Sequence, residues 1–169
     1  DGTVADTSPL AVRPLAAADE ERWRELFRVY RAFYRLPADE GVVSTVWGWL
    51  TDATHECEAL LVEREGRIVG LAHARRFSRP STGTVGIWLD DLFTDPEARG
   101  AGAGRALIQR LTEIAAAEGR SVVRWITAED NERAQALYDR VATRTQWVTY
   151  DAAPAEPLPV ASRPASSRA

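Results

Sequence analysis

The chain has 169 residues, of which 45% are hydrophobic and 27% charged, a size and composition that suit one domain with a proper core. Its net charge of −4 speaks against a polybasic nucleic-acid or membrane-surface binder and leaves a mild attraction for cationic substrates. All 21 basic residues are arginine, methionine is absent, and the one cysteine, Cys57, has no partner for an internal disulfide. No Cys/His cluster has ligand spacing, so no metal is expected, and a reducing cytoplasm fits. No apolar run has the length of a signal sequence or a membrane span.

Residues 1–8 read as a polar lead, residues 9–150 as the domain, and residues 151–169 as a tail. The tail sets Pro154, Pro157, Pro159 and Pro164 among Ala and Ser, a composition that reads as extended or disordered. Leu10–Pro14 reads as a first strand. Asp19, Glu20 and Glu21 look like the cap and acidic first turn of a helix, in which Trp23, Leu26, Phe27, Tyr30, Phe33 and Tyr34 recur at helical spacing. A second helix is expected over 39–50, with Val42, Val46, Trp49 and Leu50 on its apolar side and Gly41 and Gly48 weakening it. Strand-like runs at 58–63 and 67–77 flank Glu65-Gly66, a hairpin signal, and a third strand follows at 85–94. Then come a glycine-rich turn, a helix over 105–118, a strand over 121–127, a helix over 131–141 and a last strand over 146–150. The order β-α-α-β-β-β-α-β-α-β points to an α/β or α+β fold with a mixed sheet.

The turn Arg99-Gly100-Ala101-Gly102-Ala103-Gly104 carries the chemistry. Alternate glycines let backbone approach a ligand with no Cβ in the way. The turn opens a helix, whose free N–H groups and dipole suit a phosphate, and Arg99 adds a fixed positive charge. A P-loop needs Gly-Lys-Ser/Thr, whereas Gly104 precedes Arg105-Ala106. A dinucleotide fingerprint needs a third glycine where Arg105 or Leu107 stands. Both patterns fail; a ligand-free flexible loop is the plain alternative.

The stretch from Asp90-Asp91-Leu92-Phe93-Thr94 through Gly104 resembles motif A of the GNAT superfamily, the Gcn5-related N-acetyltransferases. Its core, Arg/Gln-x-x-Gly-x-Gly/Ala, is met by Arg99, Gly102 and Gly104. Downstream, Asn131-Glu132-Arg133-Ala134-Gln135-Ala136-Leu137-Tyr138 resembles motif B. The resemblance covers about residues 9–150 and is nearest in pattern to the diamine (polyamine) and yeast histone/polyamine-type enzymes. Val141-Ala142-Thr143-Arg144-Thr145 departs from the Gly-Phe that many members carry after motif B.

The resemblance implies a GNAT fold, a central, mostly antiparallel twisted sheet flanked by helices. It implies acetyl-CoA as donor, with Leu92, Phe93 and Thr94 along the pantetheine through backbone groups. Arg99, Gly100, Ala101, Gly102, Ala103, Gly104 and Arg105 would surround the pyrophosphate. Asn131 and Ala134 would lie beside the cofactor arm and Tyr138 near the thioester sulfur. A homodimer is expected by the same analogy.

The implied reaction is direct attack of a neutral amine on the thioester through a tetrahedral intermediate. A backbone N–H near Leu92 would stabilise the oxyanion, and Tyr138 would protonate the leaving thiolate. The proton acceptor lies among Asp90, Asp91 and water. Strand alternation sends the two aspartates to opposite faces unless a bulge intervenes, and Asp90 aligns with the acidic, substrate-contacting position of the diamine enzymes. Tyr30, Phe33, Tyr34, Trp88 and Trp125 could wall a pocket for a cation. His55 and His73 stand isolated and receive no chemistry. The expected acceptor is a small cationic amine, a polyamine or an amino-acid-like molecule. A protein amine, an antibiotic amine and a non-catalytic CoA sensor are the alternatives. Nucleic acid and membrane are not expected partners.

Overall fold

The computed structural model describes residues 8–157. Of the expected lead, only Ser8 falls within them, and its Oγ donates to Glu65 Oε1 at 2.8 Å. Of the expected tail, residues 151–157 are exposed and form no helix or strand; the remainder lies outside the described residues.

Five strands form one open sheet in the order β1-β2-β3-β4-β5. β1 (Leu10–Pro14), β2 (Glu58–Arg64), β3 (Arg67–Arg79) and β4 (Thr84–Thr94) pair antiparallel in succession, and β5 (Val123–Arg124) joins β4 in parallel. The hairpin between β2 and β3 turns on Glu65 at φ 52° and Gly66 at φ 75°, the paired left-handed conformations that a tight right-twisting hairpin requires.

Helices cover both faces. Alternation along β2 and β3, reset by an extra residue at Val69, sends Leu61, Ile68 and Leu71 to α1 (Glu20–Phe33) and α2 (Glu40–Thr51), where they pack with Trp23, Leu26, Phe27 and Val43. It sends Val62, Val69 and Ala72 to α3 (Ala103–Glu118), against Leu107, Ile108 and Leu111. α4 (Glu132–Val141) packs beside α3 through Tyr138 and Val141.

Three sequence expectations change. The apolar face of α2 is Val43, Val46, Trp47 and Leu50, while Val42 and Trp49 are 38% and 43% exposed. The stretch is apolar around most of its circumference, so spacing alone allows either face. The strand expected over 121–127 shrinks to Val123–Arg124, because β4 and β5 part after Trp88 pairs Arg124. The strand expected over 146–150 does not form: Trp147, Val148 and Tyr150 are 88%, 76% and 88% exposed. A strand needs a ladder to satisfy its backbone, and among the described residues no strand takes up residues 146–150.

Arginine ties helices to the sheet. Arg22 of α1 donates to Ile68 O at 3.0 and 2.9 Å and to Asp95 Oδ2 at 2.7 Å. Arg13 of β1 holds Asp19 at the head of α1 through two 2.7 Å bonds, and that carboxylate also accepts from Ala16 N. Arg76 of β3 bridges Glu58 of β2 and Glu118 at the end of α3.

Gly70 lies in the β3–β4 ladder opposite Thr94. A Cβ there would lie 2.8 Å from Val62 Cγ1 and 2.9 Å from Phe93 O, and a backbone oxygen within a ladder cannot yield cheaply. Gly70→Ala is therefore expected to lower stability by about 1–3 kcal/mol, read as a reduced urea midpoint with an unchanged m-value.

Candidate active site

The site grows from the place where β4 leaves β5. β4 continues to Thr94 with β3 on one side only. Its other edge, from Leu89 onward, faces a gap bounded by α4 and the turn before α3. The gap holds two adjoining clefts, of about 580 Å³ and about 350 Å³.

The larger cleft takes the glycine-rich turn. Gly100 and Gly102 have φ 87° and 88° with open space where a Cβ would project, so the turn needs glycine for conformation and keeps that side clear. The first α3 bond runs from Ala106 N to Gly102 O, which leaves the amides of Ala103, Gly104 and Arg105 ahead of the helical ladder and suited to an anion. Gly104 has a different role: a Cβ there would meet Leu137 Cδ2 at 3.4 Å and Leu92 Cδ2 at 3.8 Å, so its bareness lets α3, α4 and β4 converge. Leu92, Phe93, Thr94, Arg99, Arg105, Asn131 and Ala134 line this same cleft. Ala101 does not line it. Asn131 Oδ1 accepts from Ala134 N at 3.3 Å, capping α4. Phe33, expected in the acceptor pocket, lies in this cleft instead, with the Arg99 guanidinium 5.4 Å from its ring centre. Arg133 and Arg140 of α4 also reach it, two turns apart on one helical face; sequence reading passed them over, although their spacing was visible.

The smaller cleft brings together Tyr30, Tyr34, Asp90, Trp125 and Tyr138. Tyr138 and Tyr34 line both clefts and stand at their junction. The Tyr138 ring meets Trp125 edge-on at 5.3 Å, and burial pushes its phenol up to about 12, so it keeps its proton at neutral pH. Trp88 is not brought here. Its ring packs edge-on to Phe77 at 5.6 Å, under the Arg75 guanidinium, because β4 turns residue 88 toward β3's side-chain row.

A bulge cancels the expected alternation and sets both aspartates against one face of β3, Asp90 at Arg75 and Asp91 at His73. β4 pairs Asp91 with His73 and Leu89 with Ala74, so Asp90 is the extra residue. The bulge resets alternation: Leu89 joins the α3 face, whereas Phe93 joins the α1 face. Asp90 lines the smaller cleft, with Arg75 Nε at 3.1 Å, and its side chain is 32% exposed. Burial raises its pKa, outweighing the pull of Arg75. Asp91 lies on the same side but runs into a polar chain under α1. Its Oδ2 meets His73 Nδ1 at 2.8 Å and its Oδ1 accepts from Tyr30 Oη at 2.5 Å. Burial opposes its charge, but the His73 and Tyr30 bonds hold its carboxyl below the usual range.

His73 is thus not isolated: it is 1% exposed, and Trp23 Nε1 donates to its Nε2 at 3.0 Å. The partners lie 50 and 18 residues away, beyond any local pattern. His55 stacks on Trp49 at 5.0 Å and accepts from Cys57 N.

The Acetyltransferase (GNAT) family model matches residues 22–142. The D-amino-acid N-acetyltransferase HPA3 of Saccharomyces cerevisiae is 31% identical over 143 residues, covering 83% of this chain and 89% of that protein. The thialysine N-epsilon-acetyltransferase of Bos taurus is 38% identical over 52 residues, 31% of each chain. Among solved structures, the ribosomal-protein-alanine N-acetyltransferase from Brucella melitensis biovar Abortus 2308 superposes with a TM-score of 0.72 at 21% identity, covering 86% of this chain and 99% of that one. The chain belongs to the GNAT acetyltransferase family and is an acetyl-transferring enzyme, with the open, mostly antiparallel sheet of that fold. Among the described residues no helix is long and apolar enough to cross a membrane.

Cys57 stands near the aspartates. Burial, then Asp90 and Asp91, push its thiol up to about 11, so the thiolate is scarce at neutral pH and a nucleophilic role is disfavoured. Alkylation by iodoacetamide should be slower than for glutathione at neutral pH, and its rate should keep climbing with pH until about 11. A plateau near the ordinary thiol value would contradict this environment.

Proposed function

We propose that the protein transfers the acetyl group of acetyl-CoA to a primary amine of a small molecule, of amino-acid or polyamine type. The observation that carries this reading is the junction at Tyr138, where a cleft suited to a phosphate-bearing arm meets one lined by a carboxylate and aromatic rings. The amides of Ala103 to Arg105, with Arg99, hold the pyrophosphate. The free edge of β4 at Leu92 to Thr94 takes the amides of the pantetheine as a strand would. The named relatives support the acceptor class, one being a D-amino-acid and the other a thialysine acetyltransferase.

The residues divide the chemistry. Asp90 accepts a proton from the incoming ammonium, directly or through water, and its raised pKa suits that task. The amine nitrogen bonds to the acetyl carbon to give a tetrahedral adduct, which sheds its second N–H proton to water as it collapses and the carbon–sulfur bond breaks. A backbone N–H of the splayed strand near Leu92 steadies the oxyanion. Tyr138 delivers its proton to the departing thiolate and is restored from solvent. Trp125 holds the Tyr138 ring in place.

Release of CoA thiol from acetyl-CoA, followed across a panel of D-amino acids, L-lysine, thialysine, putrescine and aminoglycosides, tests the reading. Turnover with an amino acid or polyamine is expected; none with any amine, despite acetyl-CoA binding, would mark a CoA-binding sensor. Tyr138→Phe should cut turnover by about a hundredfold or more while donor affinity holds. Gly102→Val, forced to φ 88°, should lose donor binding, measured by calorimetry on protein shown to be folded.

A further inference from the structure

The acceptor cleft has a wall whose hydrogen-bonding polarity is fixed from behind. Tyr30 lines it, and its hydroxyl is 2.5 Å from Asp91 Oδ1. An ionised carboxylate only accepts hydrogen bonds, so the one phenolic proton of Tyr30 is committed to Asp91. What Tyr30 can offer the cleft is lone pairs alone.

The chain behind Tyr30 allows no other arrangement. Trp23 Nε1–H can only donate, and it donates to His73 Nε2 at 3.0 Å. That nitrogen therefore carries no proton, so Nδ1 does, and it donates to Asp91 Oδ2 at 2.8 Å. Each Asp91 oxygen thus has a donor of its own. The direction of every bond follows from the indole at one end, through to the phenol at the other. Trp23 is fully buried and stacks on Phe27 at 5.0 Å, and Tyr30 is held edge-on by Phe93 at 5.6 Å and Tyr34 at 5.0 Å.

We infer that Tyr30 is the residue that selects and orients the amine, accepting one of its N–H bonds, and that Asp91, His73 and Trp23 are positioning residues that keep the Tyr30 oxygen acceptor-only. An ammonium has three N–H bonds. With one given to Tyr30 and one proton lost to Asp90 or water, the neutral amine still donates to Tyr30, and its new lone pair is left free to face the junction at Tyr138. A group that can only accept finds no donor at the Tyr30 oxygen. The Asp91 charge serves binding and orientation here rather than proton removal, which remains with Asp90. This inference rests on the proposed acetyl transfer for its setting, but its prediction concerns amine binding alone.

The Asp91→Asn variant isolates the polarity. A carboxamide offers one acceptor and one donor, whereas Tyr30 and His73 both require acceptors. His73 cannot switch its proton to Nε2, because Trp23 Nε1–H occupies that side. The conflict falls on Tyr30, whose hydroxyl turns to accept from the amide and points its proton into the cleft.

The test is calorimetric titration of D-lysine into CoA-saturated protein, with CoA affinity measured in parallel. Tyr30→Phe should weaken D-lysine about tenfold to hundredfold, as for loss of a hydrogen bond to a charged group, with CoA affinity unchanged. Asp91→Asn should weaken it comparably, and the double variant should be no weaker than the worse single one, since Asp91 acts through Tyr30. Losses that multiply in the double variant would show Asp91 acting on the amine by its charge alone and overturn the inference. Wild-type binding no tighter than that of Tyr30→Phe would overturn it as well. CoA release by the wild type reads the acetyl-transfer assignment separately. Selective D-lysine binding without turnover sinks that assignment alone, and turnover with unchanged Tyr30→Phe affinity sinks the Tyr30 role alone.

Discussion

The parting of β4 from β5 is the constraint on which the rest depends. The parallel pair goes no further than Trp88 with Arg124. A full ladder would have satisfied the β4 edge and closed the sheet. Instead, the edge from Leu89 to Thr94 keeps its backbone groups for a partner, and the wedge is deep enough for α4 to present Tyr138 at its floor. The wedge stays open because both of its walls are anchored elsewhere. β4 is locked along its length to β3, and α4 is pinned to the start of α3 through the contact of Leu137 with the bare Gly104.

Within that wedge the bulge at Asp90 divides the labour between two adjacent carboxylates. One extra residue puts Asp90 toward the cleft with a raised pKa and Asp91 toward His73 with a lowered one. The same shift moves Phe93 to the α1 side and Leu92 toward α4. A single irregularity therefore places a carboxylate suited to holding a proton beside one suited to staying ionised. Environments that push neighbouring groups apart are a common basis for acid–base division in enzymes.

What could be read from the sequence was what neighbours in the chain decide. The Glu65-Gly66 hairpin, the turn that opens α3, the α4 helix capped by Asn131 and the α1 helix depend on residues a few positions apart, and these elements form as read. The features that were missed depend on distant partners. His73 joins Asp91 and Trp23 only through strand register and a bulge. The buried side of α2 depends on what α1 presents to it. The ring of Trp88 follows Arg75 and Phe77 across the ladder rather than the cleft beside it. The run at 146–150 has strand-forming residues, yet strand propensity describes a fit to a neighbouring strand, and none pairs with it among the described residues. The larger cleft was thus more legible than the smaller one, since the turn and helix start that line it are continuous in the chain, whereas the smaller cleft is assembled from separate elements.

The arginine ties between helices and sheet have a chemical consequence beyond stability. An acetyl-transferring enzyme works beside an activated acyl group, and the ε-amine of lysine is a ready accidental acceptor of such groups. This chain has no lysine. At Arg13, Arg22 and Arg76 the cation is a delocalised guanidinium that stays charged across the working pH range and is a poor nucleophile. The contacts that hold α1 and α3 to the sheet are thereby made of groups that the enzyme's own chemistry leaves untouched, and their charge does not decay as the protein ages beside its donor.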